Sequence, residues 1–174
     1  THLASSAASD VYKRQLFNGF GGIASLLVGS AEYLGTGSLG LISLTAIFLT
    51  LIIGGITFSG SLVAYGKLSE ILPGRQITFK GQRIVLVAIF IAALLFGAQL
   101  IFNFQMVEGW NPLFSFLLLI SLSLIIGLLI TLPIGGADMP VIIALLNSYS
   151  GLAASAAGFV INNNCLLYTS DAAD

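Results

Sequence analysis

Apolar residues along the chain gather into long blocks separated by short polar or glycine-rich breaks. The blocks cover residues 16–34, 40–66, 84–106, 113–133 and 140–161. A helix rising about 1.5 Å per residue needs about 20 residues to cross a hydrocarbon core of about 30 Å, so each block predicts one membrane-spanning helix. The fold class expected is therefore all-α, a polytopic transmembrane bundle of about five spans. No charge interrupts the stretch from Gly40 to Gly66. Its 13 Leu, Ile, Phe and Val residues between Leu41 and Val63 favour insertion by roughly 6 kcal/mol, at about 0.45 kcal/mol each. The last block holds nine such residues together with the polar run Asn147, Ser148, Tyr149 and Ser150. It is expected to rely on packing against other helices.

Small and weakly polar residues recur inside three of the blocks at helical spacing. Asn18, Gly22, Ser25 and Gly29 follow steps of four, three and four, as do Thr50, Gly54, Thr57 and Ser61, and Asn147, Gly151, Ala154 and Gly158. Each set falls on one helix face. Such faces let helices approach closely in lipid, and polar groups turned into a bundle also line pathways; both readings stay open on the residues alone. The three faces are expected to meet around a shared wet interior. The third and fourth blocks, rich in Leu, Ile, Val and Phe with Gln99, Asn103, Ser115, Ser121 and Ser123 scattered among them, are expected at the lipid-facing periphery. Asn, Ser and Thr orient water but do not hold a proton, so a conduit built from these faces needs an ionisable group from elsewhere. Asp138, in the turn "PIGGADMP", is the nearest candidate. Two residues before Pro140, it equally suits a carboxylate facing the positive end of a helix dipole.

"NGFGGIAS" sets Gly19, Gly21 and Ala24 in a G-x-G-x-x-A order. A dinucleotide cradle would need a preceding strand and an acid about 20 positions on. The next acid, Glu32, is 13 residues after Gly19 at the far end of an apolar block, so a helix face is the better reading.

Composition agrees with a bilayer as solvent. The chain is 57% hydrophobic and 7% charged, with mean hydropathy +1.03, where soluble domains carry about 25% charged residues. A net charge of −1 excludes a general attraction for nucleic acid. With five spans, all six Lys and Arg fall on one side, and the opposite loops hold only Glu32 and Glu108. The positive-inside rule makes the basic loop 67–83 cytoplasmic, or matrix-facing in a mitochondrion. The ends "THLASSAASDVYKRQ" and "CLLYTSDAAD" fit neither a span nor a signal peptide. Residues 1–15 and 164–174 are expected to be disordered or foreign to the native chain. The only His, His2, and the only Cys, Cys165, lie in these ends, so no metal site, nucleophile or internal disulfide is expected.

The segments "GGADMPVIIALLNSYSGLAASAAGF", "GGITFSGSLVAYGKL" and "LFNGFGGIASLLVGSAEYL" resemble the membrane domain of the proton-translocating NAD(P) transhydrogenase beta subunit, over nearly everything from Leu16 to Asn163. The resemblance implies part of a proton channel in a bacterial inner membrane, coupled to hydride transfer between NAD(H) and NADP(H). Relative to that family the chain lacks earlier spans, a final span and the NADP-binding domain. It is expected to bind no cofactor itself and to have no catalytic residue. Implied partners are those further segments, an alpha subunit carrying the NAD-binding domain, the lipid bilayer and a second copy of the complex. Asn147 and Ser61 match polar positions that the family places along its proton path. Asp138 matches a loop acid near the nucleotide domain. Asn18 stands where many relatives have a proton-accepting His, and a His on a neighbouring partner helix is expected instead. Gly22, Gly29, Gly54, Gly151 and Gly158 are expected to serve helix packing. Two other classes remain: a fragment of a secondary transporter whose midplane helices bind a solute, and a structural bundle of a larger complex.

Overall fold

The longest uncharged block becomes the hub of the bundle. In the computed structural model, which describes residues 2–35, 39–102, 111–135 and 138–161, with side chains from residue 11 onward, five helices follow in order: α1 (His2–Gly35), α2 (Leu41–Leu68), α3 (Gln82–Phe102), α4 (Pro112–Thr131) and α5 (Met139–Val160). Helix α2 touches all four others, because two of its faces carry little side-chain bulk.

On the first face, Thr50, Gly54, Thr57 and Ser61 are all buried against α1, which runs antiparallel. A Cβ on Gly22 would lie 2.8 Å from the Phe58 nitrogen and 2.9 Å from the Gly54 oxygen. Only glycine permits backbones this close. Gly19, Gly21 and Ala24 sit within the continuous helix α1, whose amides bond internally, so they form part of a packing helix and not a phosphate cradle.

On the second face, Gly55 meets Ser123 and the Ser59 hydroxyl meets Gly127, while Gly60 meets Thr131. Helix α4 thus runs parallel to α2, with Phe116, Leu119 and Ile126 fully buried. This corrects the expectation that the fourth span is peripheral. Ser123, Gly127 and Thr131 form a small-residue row at steps of four, and their hydroxyls turn back to their own helix: Ser123 donates to the Ile120 carbonyl at 2.7 Å and Thr131 to that of Gly127 at 2.9 Å. Satisfied in this way, they pack as small groups. Helix α3 is peripheral as expected, burying Gln82, Ala93, Gly97, Gln99 and Leu100.

Helix α5 also departs from expectation. Asn147 is exposed, Gly151 and Ala154 are half-buried, and Gly158 alone of its stripe is buried. Its packing face is formed by Met139, Leu146, Ala153, Ala157 and Val160, because the Leu146 side chain fits the hollow over Gly60 and Met139 and Leu146 cluster with Ala64. The three stripes therefore do not enclose one wet interior. Those of α1 and α2 close into a tight seam, and that of α5 stands off from it, with Asn147 across a cleft from Asn18.

Helices α2 to α5 are each long and apolar enough to cross a membrane. The small and polar face of α1 lowers its average, and it is held by its antiparallel seam with α2. The last four helices begin and end close to the apolar blocks, whereas α1 continues back from its block to His2, through residues set apart as a disordered or foreign end. Residues 103–110 and 164–174, with Asn103 and Glu108, lie outside the described residues. Asn111 caps α4, its side chain accepting from the Leu113 nitrogen, with Pro112 in the first turn. The loop after α2 meets the loop before α5 through the Ile77 amide and Leu132 carbonyl, 3.1 Å apart.

Just past the Ser69 cap of α2 stands Glu70, a non-glycine residue at φ 61°. That left-handed conformation costs an L side chain about 1 kcal/mol. Glu70→Gly is expected to raise stability by about that amount, read as a higher thermal midpoint of the solubilised full-length subunit; an unchanged or lower midpoint counts against the strain.

Candidate functional site

The residues with hydrogen-bonding capacity converge near one end of the α1–α2 seam. Ser61 is wholly buried, about 10 Å inside the end of α2 at about 1.5 Å per residue. Its hydroxyl accepts from the Gln15 side-chain amide at 3.1 Å and from the Asn18 amide at 3.3 Å. Both donors lie on the stripe of α1 that faces α2, three residues apart, and the approach is allowed because a Cβ at Gly19 would already stand 3.2 Å from Ser61 Cβ. A hydroxyl has two acceptor lone pairs and one proton. With two amides on its acceptor side, Ser61 keeps that proton to donate.

Asn18 also faces outward. With Arg14 and Gln15 it lines a cleft of about 650 Å³ between α1 and α5, whose other wall includes Asn147 and Ser150. Asn147 thus shares a cavity with the Asn18–Ser61 pair without bonding to it directly. Ser150 packs against Gly21, where an added Cβ would come 2.7 Å from its hydroxyl oxygen. The cleft can order water between amides and hydroxyls, and Arg14 is the one charged residue among its lining groups.

Asp138 stands apart from this cluster. It occupies the position before α5, exposed, and its side chain makes no capping hydrogen bond. Among the packing glycines, Gly22, Gly29 and Gly54 lie in the α1–α2 seam. In α5, Gly158 is buried and Gly151 is half-buried.

Two residues escaped the sequence reading. Gln15 was set aside with the polar end, although its spacing of three from Asn18 extends the same stripe. Lys67, read as a loop charge, is buried in the last turn of α2. Its ammonium donates to the carbonyl oxygens of Leu132, Ile134 (2.7 Å) and Thr131 (3.4 Å) at the end of α4. The Thr131 and Leu132 oxygens also accept from the Ile134 and Ile77 amides, and nothing in the local sequence announces that these carbonyls come within reach of Lys67.

Residues 14–171 match the family described as NAD(P) transhydrogenase beta subunit. The chain belongs to this family. It is 38% identical over 159 residues to the NAD(P) transhydrogenase subunit beta of Rhodospirillum rubrum, covering 87% of this chain and 33% of that relative. The same figures hold for the subunit from one strain of that organism. The chain thus spans about a third of the length of the curated relatives it matches. The family match takes in Gln15 as well as Asn18, Ser61, Asp138 and Asn147.

Proposed function

We propose that this transhydrogenase beta-subunit segment forms part of a proton path coupled to hydride transfer between NAD(H) and NADP(H). The observation that supports it most directly is the buried Ser61 hydroxyl, held by Gln15 and Asn18 beside a cleft that Asn147 also lines. A proton entering this cleft redistributes hydrogen bonds among Asn18, Ser61 and bound water. None of these side chains titrates near neutral pH, so the group that takes up the proton comes from a partner helix facing Asn18. NADP(H) and NAD(H) sit on domains outside this segment, the latter on an alpha subunit, and the complex is a dimer. The membrane is the bacterial inner membrane, with the basic loop 67–83 on the cytoplasmic side. Asp138, exposed at the end that carries that loop, relays the change to the NADP-binding domain. Coupling of this kind requires two states with different contacts, and the open cleft beside a closed seam leaves these side chains room to rearrange.

In the intact complex, Asn147→Leu is expected to lower proton-coupled transhydrogenation at least tenfold while leaving nucleotide binding unchanged. Asn147 is exposed to the cleft, so the substitution spares the α2–α5 packing. Coupled turnover equal to the wild type, measured in vesicles that hold a proton gradient, would remove Asn147 from the path.

A further inference from the structure

Two depressions lie along the α3–α4 side. One, of about 490 Å³, is almost wholly apolar and is lined by Ile56 of α2, Val87 and Phe90 of α3 and Ile126 of α4, among others. The second, of about 790 Å³, opens at the end carrying the basic loop and has Arg83, Thr78 and Gln76 above Leu129 and Pro133. Leu86 and Ile130 line both, so the two adjoin and together offer a channel that runs from a polar mouth to an apolar interior. The sequence register agrees. Arg83, Leu86, Val87 and Phe90 fall on one face of α3, and Ile126 and Ile130 on one face of α4.

We propose that this channel seats one anionic phospholipid of the surrounding bilayer, its phosphate at Arg83 and an acyl chain along Leu86, Ile130 and Phe90. The polarity is graded as a lipid requires, polar at the mouth and apolar below, with Phe90 about 12 Å beneath the start of α3 at about 1.5 Å per residue. The charge also fits. No carboxylate lines either depression, and Arg75 and Lys80 belong to the same loop; basic pockets between membrane helices bind anionic headgroups. Gln82 braces the wall, its amide nitrogen donating to the Leu129 carbonyl at 2.9 Å and its oxygen accepting from the Phe79 amide, which leaves Arg83 as the cation at the mouth. The apolar part falls in the size range of small-molecule sites, about 300–1,000 Å³, and is too small for a helix about 10–12 Å across.

The test uses the full-length complex in nanodiscs of equal dioleoylphosphatidylglycerol and dioleoylphosphatidylcholine, with retained lipid counted by native mass spectrometry. The wild type is expected to retain phosphatidylglycerol in preference to phosphatidylcholine. Arg83→Gln should lower that retention about fivefold, the worth of one basic residue near an anionic surface. Val87→Trp, at an exposed position, should fill the channel and abolish retention with no change in assembly. Equal retention of the two lipids by the wild type, or unchanged retention in both variants, would overturn the proposal. So would a photo-crosslinker at Val87 that captures another protein segment in place of lipid.

Discussion

Gly22→Val is expected to unseat α1 from α2 and to cost the full-length subunit about 3 kcal/mol or more, at the upper end of what overpacking does in a closed interface. The Cβ alone would lie 2.8 Å from the Phe58 nitrogen, 2.9 Å from the Gly54 oxygen and 3.0 Å from Thr57 Cβ. Two of these are backbone atoms, which cannot turn aside, so the helices must separate. From the other side, a Cβ on Gly54 would meet the Gly22 oxygen at 2.8 Å, and the two sites should therefore be non-additive. Gly35→Ala is the control. Nothing lies within 4 Å of a Cβ there, and the gain in helix propensity makes it neutral or slightly stabilising. Membrane yield and the thermal midpoint of the solubilised protein would read the difference. Wild-type values for Gly22→Val would mean that the seam is not closed. Because Gly22 is one turn from Asn18, separation would also stretch the Asn18–Ser61 hydrogen bond, and any loss of proton coupling should accompany the loss of stability.

The sequence revealed those features in which one chemical period dominates a helix. In α2 the Thr50–Gly54–Thr57–Ser61 row recurs at helical spacing through a run of large apolar residues, and it marks the seam. In α5 two periods compete. Asn147, Gly151, Ala154 and Gly158 give one face, while Met139, Leu146, Ala153 and Val160 repeat every seven residues on another. Shape decided between them: the hollow above Gly60 accepts Leu146, and only the position of α2 creates that hollow. The row Ser123, Gly127 and Thr131 was hidden by the leucines and isoleucines around it, and became legible once Gly55, Ser59 and Gly60 stood opposite. The candidate site was half visible in the same sense. Asn18 and Ser61 could be picked out as polar residues in apolar blocks, but the hydrogen bond joining them depends on the antiparallel register of two helices. Gln15 was lost because polarity near a chain end reads as an unfolded tail, although burial against Ser61 makes it a member of the cluster.

Lys67→Met is expected to lower stability by about 3 kcal/mol, through the carbonyls it leaves behind. The ammonium satisfies the oxygens of Thr131, Leu132 and Ile134 at the negative end of the α4 dipole. Methionine matches the buried stem but donates nothing, and hydrogen bonds to a charged group are worth about 1.5–3 kcal/mol each; the Leu132 and Thr131 oxygens keep the Ile77 and Ile134 amides, which holds the loss near the value of one or two such bonds. Arginine should not restore the wild type, since its planar fork does not reproduce a compact ammonium surrounded by three carbonyls. The effect should be local before it is global. The end of α4 and the turn leading to Asp138 should exchange amide hydrogens faster in Lys67→Met, while the α1–α2 seam keeps its protection; hydrogen exchange on the solubilised full-length subunit separates the two. Equal exchange at Leu132 and Ile134 in wild type and variant would mean that the ammonium is not holding that turn. Since the same turn sets the start of α5, and Asn147 lies two turns along it, Lys67 ties the geometry of the cleft to the end of the bundle that carries Asp138. Coupled turnover in Lys67→Met should accordingly fall even though Asn18 and Ser61 keep their hydrogen bond.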